Sequence, residues 1–383
     1  MELILHIGTG KTGSTSIQSV LKDNFDDVSA QGVFFVGYMF DLLSEKRYAW
    51  QRHSGTESFN KLPVQQRKKE LKDILAAAQK EAIERGCTKI LWSNEALCNM
   101  PRVAEFIDSI WHDKVTVIAY VRRHDAYAVS AYKQWGLKHK IYSGELLSFS
   151  EFTNRFPLTF YDRLIKWQRR SWKYSLINYD KCGNVVDHFL SYTGVSLPAE
   201  RASARQNTGD SLGSLLFKAI VNTAMNVPPS DTNFTVDSDM TIRDEDWFFD
   251  KLPTPEDVDA IFERTREDRE KLNSLLVEAD HFNEDPPNFR PYTREDVKQA
   301  YKVVFSMLVD KVINMDEQWR KQYRANAVAI ARGQHTELAE LNLRFERLHR
   351  EVAAHNAVLT RLSQRRSFRN VFARIKRKLL SRE

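Results

Sequence analysis

Residues 2–18 read Glu2-Leu3-Ile4-Leu5-His6-Ile7-Gly8-Thr9-Gly10-Lys11-Thr12-Gly13-Ser14-Thr15-Ser16-Ile17-Gln18. Leu3–Ile7 is apolar and branched, as a buried strand requires. A glycine-rich turn follows, and then a helical spacing that puts Ile17, Val20, Leu21 and Phe25 near one face. Strand, glycine turn and helix start, in that order, make an anion cradle. The glycines let the backbone curl with its N–H groups inward. The helix N-terminus adds a partial positive charge. Lys11 adds a full charge, and Ser14, Thr15 and Ser16 add hydroxyls.

The spacing departs from that of a nucleoside triphosphate P-loop, which weakens a kinase or ATPase reading. That pattern needs a glycine five residues before the Gly-Lys-[Ser/Thr] end. Gly10-Lys11-Thr12 supplies the end, but the glycine position falls on Leu5, inside the strand.

Outward from the cradle, strand-like and helix-period segments alternate. Val33–Val36, Lys89–Ser93, Val115–Val121 and Ser175–Asn178 read as further strands. Leu71, Ile74, Leu75, Ala78, Ala82 and Ile83 mark a helix stopping near Gly86. Others begin near Asp125 and span Tyr161–Trp172 and Val185–Tyr192, the last ending at Gly194. This alternation predicts an α/β fold, a parallel β-sheet flanked by helices on both faces. Ligands of such folds sit at the carboxyl ends of the strands. Residues 206–330 read as mainly helical, interrupted by a polar loop from Pro228 to Pro255.

The run from His6 to Gln18 resembles the 5′-phosphosulfate loop of sulfotransferases that use 3′-phosphoadenosine 5′-phosphosulfate (PAPS). The bacterial branch is the nearer, with the pattern His-Ile-Gly-x-x-Lys-Thr-Gly-[Ser/Thr]-[Ser/Thr]-Ser-[Ile/Leu]-Gln. Gly10 departs from it, because a proline is usual there. The resemblance implies a P-loop-like sulfotransferase fold and a cofactor loop made of Gly10, Lys11, Thr12, Gly13, Ser14, Thr15 and Ser16. It also implies a second site for the cofactor's 3′-phosphate, an arginine followed eight residues later by a helical serine. Arg122 and Ser130 fit that spacing. A guanidinium binds phosphate oxygens bidentately, with Arg123 or His124 placed to assist. Arg205, in Arg205-Gln206-Asn207-Thr208, is similar to a later nucleotide-binding stretch. The resemblance covers residues 1–210 well and 211–330 loosely, and does not reach 331–383.

It implies transfer of a sulfuryl group from PAPS, leaving the bisphosphate PAP, to a hydroxyl or amine of an acceptor such as a glycan or glycolipid. Lys11 and the loop N–H groups stabilise the departing oxygen, and no metal is required. The strand Val115–Val121 runs into Arg122 rather than into a metal-binding acid. Glu95, in Trp92-Ser93-Asn94-Glu95, is the first candidate for the base that takes the acceptor's proton. His53 is the second, and His6 reads as structural. Two alternatives stay open: a P-loop kinase-like enzyme using Lys11 with Mg²⁺, and a non-catalytic scaffold on the same fold.

The chain of 383 residues accommodates a domain over 1–330, with its core in 1–210 and a helical acceptor-side region in 211–330, plus a segment 331–383. From Leu338 the spacing of Leu341, Phe345, Leu348, Val352, His355, Leu359 and Leu362 is heptad-like. It suits a homodimeric coiled coil over 338–362, or equally a helix docked on its own domain. Residues 366–382 form a basic amphipathic pattern suited to an anionic membrane surface, or a solvated terminus. The net charge of +6 comes partly from that tail. It suits anionic ligands, and nucleic acid is not expected among them. Cys87, Cys98 and Cys182 make neither a disulfide framework nor a zinc site. No signal peptide pattern and no apolar run of about 18 residues is found. The expected location is cytoplasmic, or peripheral at the inner membrane face.

Overall fold

The computed structural model describes residues 1–52, 55–156, 158–169, 171–198, 210–224, 245–304 and 306. It is an α/β protein built on a five-stranded sheet, β1 Glu2–Gly8, β2 Val33–Phe35, β3 Lys89–Ser93, β4 Val115–Val121 and β5 Lys173–Asn178. The strand order is β2-β3-β1-β4-β5, and every pairing is parallel. Helices α1 Ser14–Asp23, α2 Phe25–Ala30, α3 Gly55–Lys61, α4 Val64–Glu84, α5 Pro101–Ile110, α6 His124–Ala131, α7 Phe149–Arg155, α8 Tyr161–Leu164 and α9 Val185–Thr193 connect and follow the strands. After them come α10 Leu212–Ala224, α11 Glu245–Phe249, α12 Pro255–Arg264 and α13 Arg266–Asn273.

Parallel strands with both faces covered carry unbroken apolar runs, and β4 is buried at every position. Alternate residues serve opposite layers. Leu3, Leu5, Ile7, Val117, Ala119 and Val121 pack with α4 and α5. Ile4, Ile118, Tyr120 and Ile177 pack with α1, α2 and α9 on the other face. Helix α9 starts at Asn184, whose side chain accepts from the N–H groups of Val186 and Asp187, and stops at the left-handed Gly194.

Three local expectations change. β5 begins at Lys173, two residues early; its first half is polar and only partly buried, as an edge strand allows. The helix expected over Tyr161–Trp172 is α8 followed by a tighter turn, Ile165–Trp167, ended by an extended Gln168. The loop expected from Pro228 to Pro255 contains α11.

The chain divides into two compact units. The first comprises 1–131, 153–209 and 255–289, and holds the whole sheet. The second holds, among the described residues, 132–152, 210–224, 245–254, 290–304 and 306. In it Tyr132–Lys138 winds as a π-helix. A Cβ at Gly136 would fall 2.3 Å from the Tyr132 ring, so this turn needs glycine. Asn222 on α10 donates to the Leu137 carbonyl at 2.7 Å, fixing α10 to the π turn. No helix among the described residues is long and apolar enough to cross a membrane. Residues 338–362 and 366–382 lie outside the described residues.

Candidate functional site

The strand order defines where a ligand belongs. The connection after β1 leads toward β2 at one edge, and the connection after β4 leads to β5 at the other. Between two such strands a crevice opens at their carboxyl ends. Both anion sites expected from the sequence lie at this crevice. Gly8 pairs with Tyr120 in register, and the Thr9 N–H donates to the Tyr120 carbonyl at 3.0 Å. Arg122 follows two residues after Tyr120. A Cβ at Gly8 would meet that carbonyl at 2.8 Å, so the close approach of loop and strand requires glycine.

The loop itself turns through three left-handed residues, Gly10, Lys11 and Gly13, with φ of 68°, 55° and 77°. Gly10, at the position where the resembled pattern has proline, is one of these left-handed residues. Proline is fixed near −65°, so the residue usual in the resembled pattern is incompatible with this path. Lys11 is a non-glycine in a sparsely populated region, and such strain clusters at binding sites. Gly13 opens α1 without any side-chain cap; the Ser16 N–H turns back to the Gly13 carbonyl at 2.9 Å, so the N–H groups of Ser14 and Thr15 are the first-turn donors that an anion could engage.

Hydroxyls also line this loop. Thr9, Thr12 and Ser14 are 8%, 0% and 5% exposed. Their side-chain oxygens have no hydrogen-bond partner among the described residues. Buried polar atoms are nearly always satisfied, and these three hydroxyls, within six residues, are of a kind that fits an oxyanion. Thr15 faces outward and Ser16 is half-buried.

At the end of β4, adjacent residues divide into different duties. Arg122 donates from Nε to Asp180 Oδ1 at 3.0 Å, and its guanidinium lies over the Tyr179 ring at 5.4 Å. Arg123, by contrast, grips Asp125 with Nε and Nη2 at 2.8 and 3.0 Å. Its Nη1 reaches Asn283 Oδ1 at 2.7 Å and the Asp285 carbonyl at 3.1 Å. His124 is fully buried, stacked on Phe160, with Nε2 2.7 Å from Asp268 Oδ2. Burial pushes its pKa down. Asp268 sits below the usual carboxylate range: burial opposes ionisation, but His124 and the N–H groups of Phe160 and Tyr161 outweigh it. Neither Arg123 nor His124 is placed to assist at an anion site; both fasten 266–285 to the start of α6. Ser130 is half-buried, two turns into α6.

Glu95 leaves the end of β3, beside β1, on a short turn Glu95–Asn99 capped by Asn94. Its Oε2 accepts from Gln18 Nε2 at 3.0 Å, and the same amide reaches the Ser93 carbonyl at 3.2 Å. Gln18, the last residue of the opening stretch, thereby ties the cradle helix to the candidate base. Tyr38 lies close by; burial chiefly, and the Glu95 carboxylate in addition, raise its phenol's pKa, with Thr56 opposing.

His6 is structural. Its Nδ1 is 2.7 Å from Ser93 Oγ, and burial pushes its pKa down to about 3. His53 and Arg205 lie outside the described residues. The three cysteines are free thiols, with Cys98 raised to about 11 by burial. Among the described residues no group of three or more His, Cys, Asp or Glu is arranged to hold a metal. No known family model matches the chain, and no curated protein or solved structure matches it significantly.

Proposed function

We propose that the chain is a sulfotransferase that takes a sulfuryl group from PAPS and delivers it to a hydroxyl or amine of an acceptor, of which a glycan or glycolipid is the favoured class. The observation that carries the reading is the cradle of 8–14, with its left-handed Lys11 and three orphaned hydroxyls, one strand away from Arg122. The donor set suits an adenylate carrying two separated anionic groups.

PAPS supplies an activated sulfuryl group on a phosphate leaving group. The chain's residues supply position and charge. Lys11, the loop N–H groups and the hydroxyls of Thr12 and Ser14 hold the 5′ anion and neutralise charge on the departing oxygen. Arg122 and Ser130 hold the 3′-phosphate. Glu95, oriented by Gln18, takes the proton from the acceptor.

Adenosine 3′,5′-bisphosphate tests the site directly. At one hundred times its Kd, stabilisation of about 2.7 kcal/mol follows from linkage. For a chain of 383 residues this raises Tm by roughly 3 °C. ATP with Mg²⁺ is the control arm; stabilisation by it alone would favour the kinase-like alternative, and no shift with either defeats the proposal. With labelled PAPS and a panel of saccharide acceptors, Lys11→Ala is expected to lower turnover about 10²–10³-fold, the effect of removing one oxyanion donor.

A further inference from the structure

We propose that Asp180 is a positioning residue that presents Arg122 to the phosphate. This rests on the reading of Arg122 as a phosphate ligand. Asp180 lies in a tight turn, Tyr179–Lys181, directly after β5. The turn is firmly built. Asn178, 2% exposed, accepts from the Asp180 N–H at 3.0 Å and donates to the Asp280 carbonyl at 3.0 Å. Lys181 Nζ donates to the Ala279 carbonyl at 2.8 Å.

From that turn the Asp180 carboxylate bridges the exit of β4. Oδ1 takes Arg122 Nε, and Oδ2 takes the backbone N–H of Arg123 at 3.2 Å. A guanidinium is a rigid fork with two bidentate edges, one containing Nε and one made of the two Nη nitrogens. Asp180 engages the first. The guanidinium carbon lies over the Tyr179 ring, 5.4 Å from its centroid. Among the described residues the Nη end hydrogen-bonds to nothing, so it is the edge left for two phosphate oxygens. The Arg122 and Asp180 side chains are 26% and 34% exposed. An ion pair that open to solvent contributes little to stability, so orientation is its chief effect. A carboxylate's charge opposes a nearby anion, whereas its oxygen positions the arginine. Asparagine in its place separates these two effects.

The test is calorimetric titration of the full-length protein with adenosine 3′,5′-bisphosphate. Asp180→Ala is expected to weaken binding roughly tenfold, the scale of one lost hydrogen bond to a charged group. Asp180→Asn keeps an acceptor and is expected to bind within about threefold of the parent. Equal or tighter binding by Asp180→Ala overturns the proposal and makes Asp180 a competitor of the phosphate. An equal loss in both variants also overturns it. A second readout needs no nucleotide: the Arg122 Nε–H, assigned by ¹⁵N NMR against Arg122→Lys, exchanges faster with solvent in Asp180→Ala. If the parent fails to bind the bisphosphate, the sulfotransferase reading falls. The Nε–H exchange then decides on Asp180 alone, an unchanged rate refuting its hold on Arg122.

Discussion

Gly13 and Gly86 offer a controlled comparison. Both are left-handed, with φ of 77° and 72°. A methyl at Gly86 meets nothing within 4 Å, whereas one at Gly13 would lie 2.6 Å from Val185 Cγ1 and 3.3 Å from Tyr179 Cε2. Alanine at either site carries the left-handed penalty, about 1 kcal/mol. At Gly13 it also overfills a packed contact, which costs about 2 kcal/mol more. Val185 cannot swing aside cheaply, because it opens α9 and a β-branched residue in a helix has one strongly preferred rotamer. Urea unfolding followed by tryptophan fluorescence should therefore give a loss of about 1 kcal/mol for Gly86→Ala and about 3 kcal/mol for Gly13→Ala. Trimming the neighbour relieves the crowding, so Gly13→Ala with Val185→Ala should show a favourable coupling of about 2 kcal/mol. Equal losses at the two glycines, or strict additivity in the double variant, would refute the claim that Gly13 is set by the approach of α9.

Three further outcomes follow from the same geometry. His6 is neutral when folded down to about pH 3, whereas the unfolded chain protonates it near 6.5. The unfolded state therefore binds the extra proton between these values, and stability falls as pH drops through that window, by up to about 1.4 kcal/mol per unit. His6→Asn should flatten the urea midpoint against pH there; parallel curves would contradict it. Arg122→Ala should weaken bisphosphate binding about tenfold or more while changing stability by under about 1 kcal/mol. Arg123→Ala should do the reverse, costing about 2–3 kcal/mol with binding nearly intact, and calorimetry beside denaturation separates the two. Glu95→Gln should lower turnover about 10²–10⁴-fold with PAPS affinity unchanged; unaltered turnover excludes Glu95 as the base.

What the sequence disclosed depended on the range of the interactions. β3 and β4 have the bounds their composition predicts, because strands covered on both faces must be apolar throughout. β5 lies at the edge, so Lys173 is tolerated and hides the strand's first residues. The cradle was legible because its glycines, lysine and hydroxyls are contiguous. Asp180 and Asp268 were not, because they meet Arg122 and His124 from 58 and 144 residues away. Gln18 stood in the quoted stretch, but its partner Glu95 is 77 residues distant, and only the pairing of β1 with β3 brings them together.

Arg122, Arg123 and His124 make the same point about chemistry. As a string they form one basic cluster, and a phosphate site drawn from composition would include all three. What separates a ligand from a strut is how many donors the fold has already engaged. Arg123 uses Nε and both Nη nitrogens on Asp125, Asn283 and the Asp285 carbonyl. His124 is closed over by Phe160 and held by Asp268. Arg122 uses Nε alone, on a turn that β5 holds in place. A phosphate could recruit Arg123 only by breaking a bidentate carboxylate pair, but it can recruit Arg122 by adding to the contacts present. Of the three, Arg122 is therefore the one whose fork is left half engaged, the state the proposed phosphate role needs, while Arg123 and His124 hold the surrounding structure.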